Sequence, residues 1–256
     1  MEKDFPEYIE QTFEVQSFEV DARGYMKPSA IMNICQEAAY LHSAKLGFSY
    51  HGLKQLNLAW VLAMARGEIY SCPKWLDKVT VRTWHKGLSG IFAVREFSFR
   101  DARTDREMLY ITTSWLIINI STRHIQRADR INLDGLEYRL LTHYQGTMRP
   151  DAKKIEEPEE SAILGEHIVR YSDIDLNQHT NNAKYLDWAC DFSELQNSGE
   201  YRLKEFTINF FRETKLNDKV VISSAQQLGS KPSCIINGKT YGHLNFIAEL
   251  KYGWCD

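Results

Sequence analysis

The chain has few of the features that mark several common protein classes. It has no run of lysine and arginine, and its 31 basic residues are outnumbered by 34 acidic ones, for a net charge of −3. No global basic field therefore points to nucleic acid. No apolar run is long enough to cross a membrane, and Trp115 to Ile120 has the length of a strand. Met1-Glu2-Lys3-Asp4-Phe5-Pro6 is acidic and lacks the apolar centre of a secretory signal. The five cysteines, Cys35, Cys72, Cys190, Cys234 and Cys255, are odd in number and scattered, with no C-x-x-C or His/Cys ligand pair. These absences predict a reduced, cytoplasmic, soluble protein without structural zinc, nucleic-acid partner or membrane span.

What remains is a chain rich enough in apolar residues, 43% of 256, to build a substantial core in one large domain or two small ones. Phe13 to Val20 alternates loosely and reads as a strand. Pro28 suits a first helical turn, and Ile31, Ile34, Cys35, Ala38, Ala39, His42 and Leu46 recur at helical spacing up to Gly47. Leu58 to Met64 is a continuous apolar run, consistent with a strand buried on both faces. Leu76 to Trp84, Ile91 to Arg100 and Met108 to Ile120 read as long antiparallel strands. Residues 149–160, charged and with Pro150 and Pro158 near the ends, read as a linker. The order then repeats: a strand at Glu166–Tyr171, a polar stretch, a helix, and strands at Phe206–Phe211 and Asp218–Ser223. A hairpin turn is predicted at Asn237-Gly238, before a last strand from about His243. The repeat predicts two copies of one α+β module, each a helix on a curved antiparallel sheet, over 1–148 and 161–256.

Chemistry concentrates in the second copy. Asp175, Asn177 and His179 lie just ahead of a helix that Thr180, Asn181 or Asn182 is suited to cap. Unpaired backbone N–H groups at a helix start favour negative charge. A titratable imidazole beside them suits a reaction that builds an oxyanion. Glu213 ends the strand after that helix, and a module of this shape can bring its carboxylate to the group. The alternative is ordinary capping and turn chemistry with an exposed glutamate. The corresponding turn of the first copy holds Asp21, Arg23, Tyr25 and Met26 and lacks the Asn-x-His pair.

The pattern Asp175-x-Asn177-x-His179-x-Asn181-Asn182-x-Lys184-Tyr185, followed by Arg212-Glu213 and Asp218-x-Val220, resembles the acyl-acyl-carrier-protein (acyl-ACP) thioesterases. The plastidial enzymes of plants are the best-known members, and the chain resembles a bacterial one. Asn57-Leu58-x-Trp60-Val61 and Asp77-x-Val79-x-Val81-x-Thr83-Trp84 extend the resemblance through the first half. The resemblance implies a tandem, or double, hotdog fold, and hydrolysis of acyl-ACP to free fatty acid and carrier protein. It implies Asp175, Asn177, His179 and Glu213 as the catalytic group and the first module as the site of the acyl chain. Ile31, Ile34, Cys35, Trp60 and Met64 are candidates to line that site, or equally to fill an ordinary core. The family usually carries cysteine after the glutamate, where this chain has Thr214, and a threonine hydroxyl is a weak nucleophile without a neighbouring base.

Attack by water is therefore expected, with Glu213 or His179 as base and no cofactor or metal. The implied partner is acyl carrier protein bearing a phosphopantetheine-linked acyl chain, acting on a monomer or homodimer. Alternatives are an acyl-CoA thioesterase, a non-catalytic acyl-binding protein, and a dehydratase of hydroxyacyl-ACP.

Overall fold

The computed structural model describes residues 6–133, 136–137, 149–227 and 232–254. It divides into two compact units, Met1–Ala63 with Tyr70–Asp151, and Met64–Ile69 with Ala152–Asp256. Among the described residues no helix is long and apolar enough to cross a membrane.

The first unit begins with strand β1 (Tyr8–Glu14), then helices α1 (Pro28–Lys45) and α2 (Tyr50–Gln55). Strands β2 (Leu58–Ile69), β3 (Lys78–Ser89), β4 (Phe92–Asp101) and β5 (Glu107–Asn119) follow. The short strands β6 (Ile125–Gln126), β7 (Asn132–Leu133) and β8 (Leu136–Glu137) come after them. The sheet runs β1-β3-β4-β5-β2, and the β1–β3, β3–β4 and β4–β5 pairs are antiparallel. α1 packs on β1 and β3. It buries Ile31, Cys35, Ala38, Ala39 and His42, the face its spacing predicts.

The second unit holds β9 (Ala162–Ile168), α3 (Asn182–Asp191) and the single turn α4 (Glu194–Asn197). Strands β10 (Tyr201–Phe210), β11 (Lys219–Gln227), β12 (Ser233–Thr240) and β13 (His243–Trp254) complete it. Its antiparallel sheet runs β10-β13-β12-β11-β9, with Met64–Ile69 of β2 along β10. Tyr185, Leu186, Trp188 and Ala189 of α3 are buried, and Tyr185 and Trp188 pack against the Phe246 ring of β13. Residues 150–160 carry no helix or strand, yet they are tied down. Asn209 donates to the Lys153 carbonyl (3.0 Å) and accepts from Ile155 N–H (2.6 Å), and Lys239 pairs with Glu157.

Four local expectations need correcting. The strand predicted to Val20 ends at Glu14, and Ser17–Glu19 forms a 3-10 turn closed by the Glu19 carboxylate on Gln16 N–H (2.8 Å). Likewise β9 ends at Ile168, and Tyr171–Asp173 turns with the Asp173 carboxylate on Arg170 N–H (2.8 Å). The Leu58–Met64 strand runs on to Ile69 and is half-buried over most of its length rather than sealed on both faces. Asn237-Gly238 lies inside β12, opposite Ser223 and Ile222 of β11, and the hairpin turns at Tyr241-Gly242, both with positive φ. Gly238 is there because space is lacking. A Cβ at that position would lie 2.3 Å from a Phe246 ring carbon and 2.9 Å from Val220.

The duplication predicted from element order extends to individual backbone hydrogen bonds. Before α1, Asp21 N–H donates to the Tyr25 carbonyl (2.8 Å), Gly24 N–H to Asp21 (2.9 Å), Met26 N–H to Pro73 (2.8 Å) and Lys27 N–H to Glu19 (2.9 Å). Before α3, the same bonds join Asp175 to His179 (2.9 Å), Gln178 to Asp175 (3.0 Å), Thr180 to Thr214 (3.0 Å) and Asn181 to Asp173 (2.8 Å). Gly24 and Gln178 share a left-handed backbone, φ +79° and +65°. The loops after β2 and β10 also match. Tyr70 and Ser71 N–H donate to the Met108 carbonyl, as Phe211 and Arg212 N–H donate to Asn245.

Candidate active site

Three segments of the second unit build the site: the turn 173–181, the first turn of α3, and the loop that leaves β10. The 173–181 turn is fixed at both ends by its own backbone. The buried Asp173 anchors its start, accepting from Arg170 N–H and facing His167 Nε2 at 3.0 Å. Asn181 caps α3, its side-chain oxygen accepting from Ala183 N–H (2.9 Å) and its carbonyl from Lys184 N–H (2.8 Å). Two of the helix-start donors expected to face an oxyanion are therefore committed to the cap.

Within the turn, Asp175 accepts from the backbone N–H of Asn177 at 2.8 Å, and the Asn177 amide nitrogen lies 3.4 Å from its other oxygen. Asp175 reaches His179 through the main chain, by the N–H to carbonyl bond already described. The decisive contact crosses between segments. His179 Nε2 lies 3.0 Å from Glu213 Oε2, both side chains about one-third exposed. A carboxylate accepting from one ring nitrogen fixes the imidazole's tautomer and orientation while water can still reach both groups. The structure thus brings together His179 with Glu213, and Asp175 with Asn177, on one continuous turn and the loop facing it.

Three residues absent from the predicted set stand directly behind this pair. Thr180 and Thr214 hydroxyl oxygens are 2.6 Å apart, and Tyr185 Oη is 2.9 Å from Thr214 Oγ1 while accepting Thr214 N–H (3.0 Å). All three are buried, Thr214 completely. Burial pushes the Tyr185 phenol above its ordinary range, so it keeps its proton. The sequence held one signal for them: Thr180 and Tyr185 flank the start of the helix, and Thr214 adjoins Glu213.

The residues proposed to line an acyl site fall in different places. Ile31 and Cys35 are buried on α1 and Ile34 is half-buried there. Trp60 packs against the cluster of Leu46, Phe48, Leu53, Ala93, Ile117 and Ala128. Met64 belongs to the strand segment of the second unit, opposite Asn209 of β10.

Residues 6–131 match the acyl-ACP thioesterase N-terminal domain, and residues 155–248 match the acyl-ACP thioesterase C-terminal domain. The chain is 30% identical over 223 residues to oleoyl-acyl carrier protein thioesterase 2, chloroplastic, of Arabidopsis thaliana, covering 82% of this chain and 60% of that one. It therefore spans less than two thirds of that relative's length. It is 28% identical over 254 residues to the oleoyl-acyl carrier protein thioesterase of Coriandrum sativum, covering 94% of this chain and 69% of that one. Among solved structures it superposes on the 12:0-ACP thioesterase from Umbellularia californica with a TM-score of 0.83 at 23% identity, over 97% of this chain and 94% of that one. An acyl-ACP thioesterase from Bacteroides thetaiotaomicron gives 0.81 at 21%, over 99% and 100%. These likenesses show the fold, a tandem hotdog of the α+β class. With the N-terminal and C-terminal family domains matched in order along most of its length, the chain belongs to the acyl-ACP thioesterase family.

Proposed function

We propose that this protein hydrolyses the thioester of acyl-ACP, releasing a free fatty acid and the carrier's phosphopantetheine thiol. The observation that carries the reading is the 3.0 Å contact between His179 and Glu213 at the start of the central helix of the second unit. A base held against its orienting partner is what activation of water requires.

In the step we assign, one of the pair takes a proton from water as the water oxygen bonds to the thioester carbon. Glu213 acts as that base, with His179 and Asn177 positioning the water and the carbonyl, or His179 acts with Glu213 orienting it. Asp175 holds Asn177 through its two contacts. The tetrahedral oxyanion then collapses, the C–S bond breaks, and the leaving thiolate recovers the proton from the base.

Water is favoured as nucleophile over a side chain. The Thr214 hydroxyl, at the position of the family's cysteine, is sealed from solvent and faces two other hydroxyls instead of a base. Burial pushes the thiols of Cys35, Cys190 and Cys234 above their ordinary range, which disfavours thiolates there. Among the described residues Cys35, Cys72, Cys190 and Cys234 form no disulfide.

The acyl chain is assigned to the first module, with Ile31, Ile34, Cys35 and Trp60 as lining candidates. Replacing Ile34 by Trp tests this, since a shortened site lowers kcat/KM for long acyl chains and spares short ones. An unchanged chain-length profile would remove Ile34 from the lining. The overall reading is tested by free-thiol release from acyl-ACPs, with matched acyl-CoAs and Glu213→Gln alongside.

A further inference from the structure

His179 and Glu213 are each followed by a buried threonine, and the two threonines meet. We propose that the hydroxyls of Thr180, Thr214 and Tyr185 form a positioning node that sets the approach of Glu213 to His179. This inference rests on the catalytic reading of that pair.

The geometry supports control of position at close range. Thr180 N–H donates to the Thr214 carbonyl at 3.0 Å, and their hydroxyl oxygens lie 2.6 Å apart. Tyr185 Oη accepts Thr214 N–H at 3.0 Å and lies 2.9 Å from its hydroxyl. One residue upstream on each chain segment, the side chains that meet are His179 and Glu213 at 3.0 Å. The Tyr185 ring is itself wedged between Trp188, Phe210 and Phe246. The hydroxyl that fixes Thr214 is therefore anchored to the core. On its other side the Glu213 loop is fastened by Asn245. The Asn245 carbonyl accepts Arg212 N–H, and its side-chain oxygen accepts from Thr240 (2.7 Å).

The first module provides the control. Its loops make the same backbone bonds, but Tyr25 and Cys72 stand where His179 and Glu213 stand. There Met26 and Pro73 replace Thr180 and Thr214, and Ile31, fourth residue of α1, replaces Tyr185, fourth residue of α3. The fold builds these loops without a hydroxyl at any of these three positions. The node is found only in the module that holds the imidazole and carboxylate, which points to placement of that pair and away from a general need of the framework.

The test measures acyl-ACP hydrolysis by Tyr185→Phe, Thr214→Val and Thr214→Ser, with kcat and KM separated and folding checked by thermal unfolding. Thr180→Val is the second variant if Thr214→Val does not fold. Misplacement of reacting groups by fractions of an ångström predicts a kcat about ten- to a hundredfold lower in Tyr185→Phe and Thr214→Val, with KM nearly unchanged. Thr214→Ser, which keeps the hydroxyl, restores most of it. The pH–rate limb set by the His179–Glu213 pair shifts in the two damaged variants and returns in Thr214→Ser. Wild-type kcat and pH profile in Tyr185→Phe and Thr214→Val would overturn the node while leaving the pair intact. So would equal damage in Thr214→Ser and Thr214→Val, which marks packing as the cause. Full activity in both His179→Ala and Glu213→Gln would instead bring down the catalytic reading itself, and the node with it.

Discussion

Glu213 and His179 sit about one-third exposed, in reach of water and of each other. Glu213→Gln preserves shape and removes the carboxylate, so kcat is expected to fall about a hundredfold or more while the unfolding midpoint stays within experimental error. Steady-state kinetics and a denaturant curve on one preparation check both halves. A second residue-scale expectation concerns stability. His42 is buried on α1, with Arg95 donating to its Nδ1 (2.8 Å) and the Pro6 carbonyl 2.9 Å from Nε2. These partners fit the neutral ring protonated on Nε2. Burial and the Arg95 charge push His42 down to about 4, from 6.5 when unfolded. The unfolded chain thus takes up this proton first on acidification. The stabilisation is complete above pH 6.5 and is lost as pH falls toward 4, on the order of 3 kcal/mol in all. Nearby His85, depressed by burial and by Arg95, acts in the same direction. Urea midpoints are expected to drop from pH 7 to pH 5, and less steeply in His42→Gln. A flat wild-type profile would contradict this.

The elements show which parts of the sequence could be read and which could not. α1 and α3 were legible because their starts are chemically marked, by Pro28 at the first position of one and by Asn181 at the cap of the other. Asn181→Ala is expected to cost about 1 kcal/mol, read from the urea midpoint, because Ala183 N–H loses its acceptor. The Asn237-Gly238 pair misled for a physical reason. A glycine can mark a turn or a place where nothing larger fits, and only the neighbours distinguish the two. Here the neighbour is the Phe246 ring. Gly238→Ala is expected to destabilise by about 1–3 kcal/mol, as overpacking does, whereas a turn glycine facing solvent would cost less. The ends of β1 and β9 were overrun because a carboxylate five residues past each strand end, Glu19 and Asp173, closes a 3-10 turn, and alternating apolar residues carry no trace of it.

At the scale of the whole chain, the two modules share a backbone scheme and differ in what they mount on it. Element order made the duplication legible. The bond-for-bond match was not, since main-chain hydrogen bonds join Gly24 to Asp21 and Gln178 to Asp175 alike. The polar residues of the candidate site could be named from the sequence, Asp175, Asn177 and His179 by their spacing ahead of a helix and Glu213 by the family resemblance. Its support could not, because Thr180, Tyr185 and Thr214 meet only in three dimensions. A framework built twice, with the His179–Glu213 pair mounted on the second copy alone, predicts asymmetry. His179→Ala is expected to abolish hydrolysis, while Tyr25→Phe, at the matching position of the first module, leaves kcat within about twofold. The most direct measurement is free-thiol release from a panel of acyl-ACPs of varied chain length, by the wild type and by Glu213→Gln. Rapid release by the wild type, reduced about a hundredfold or more in the variant, is the predicted result. No release from any acyl-ACP, or undiminished release by the variant, would contradict the account.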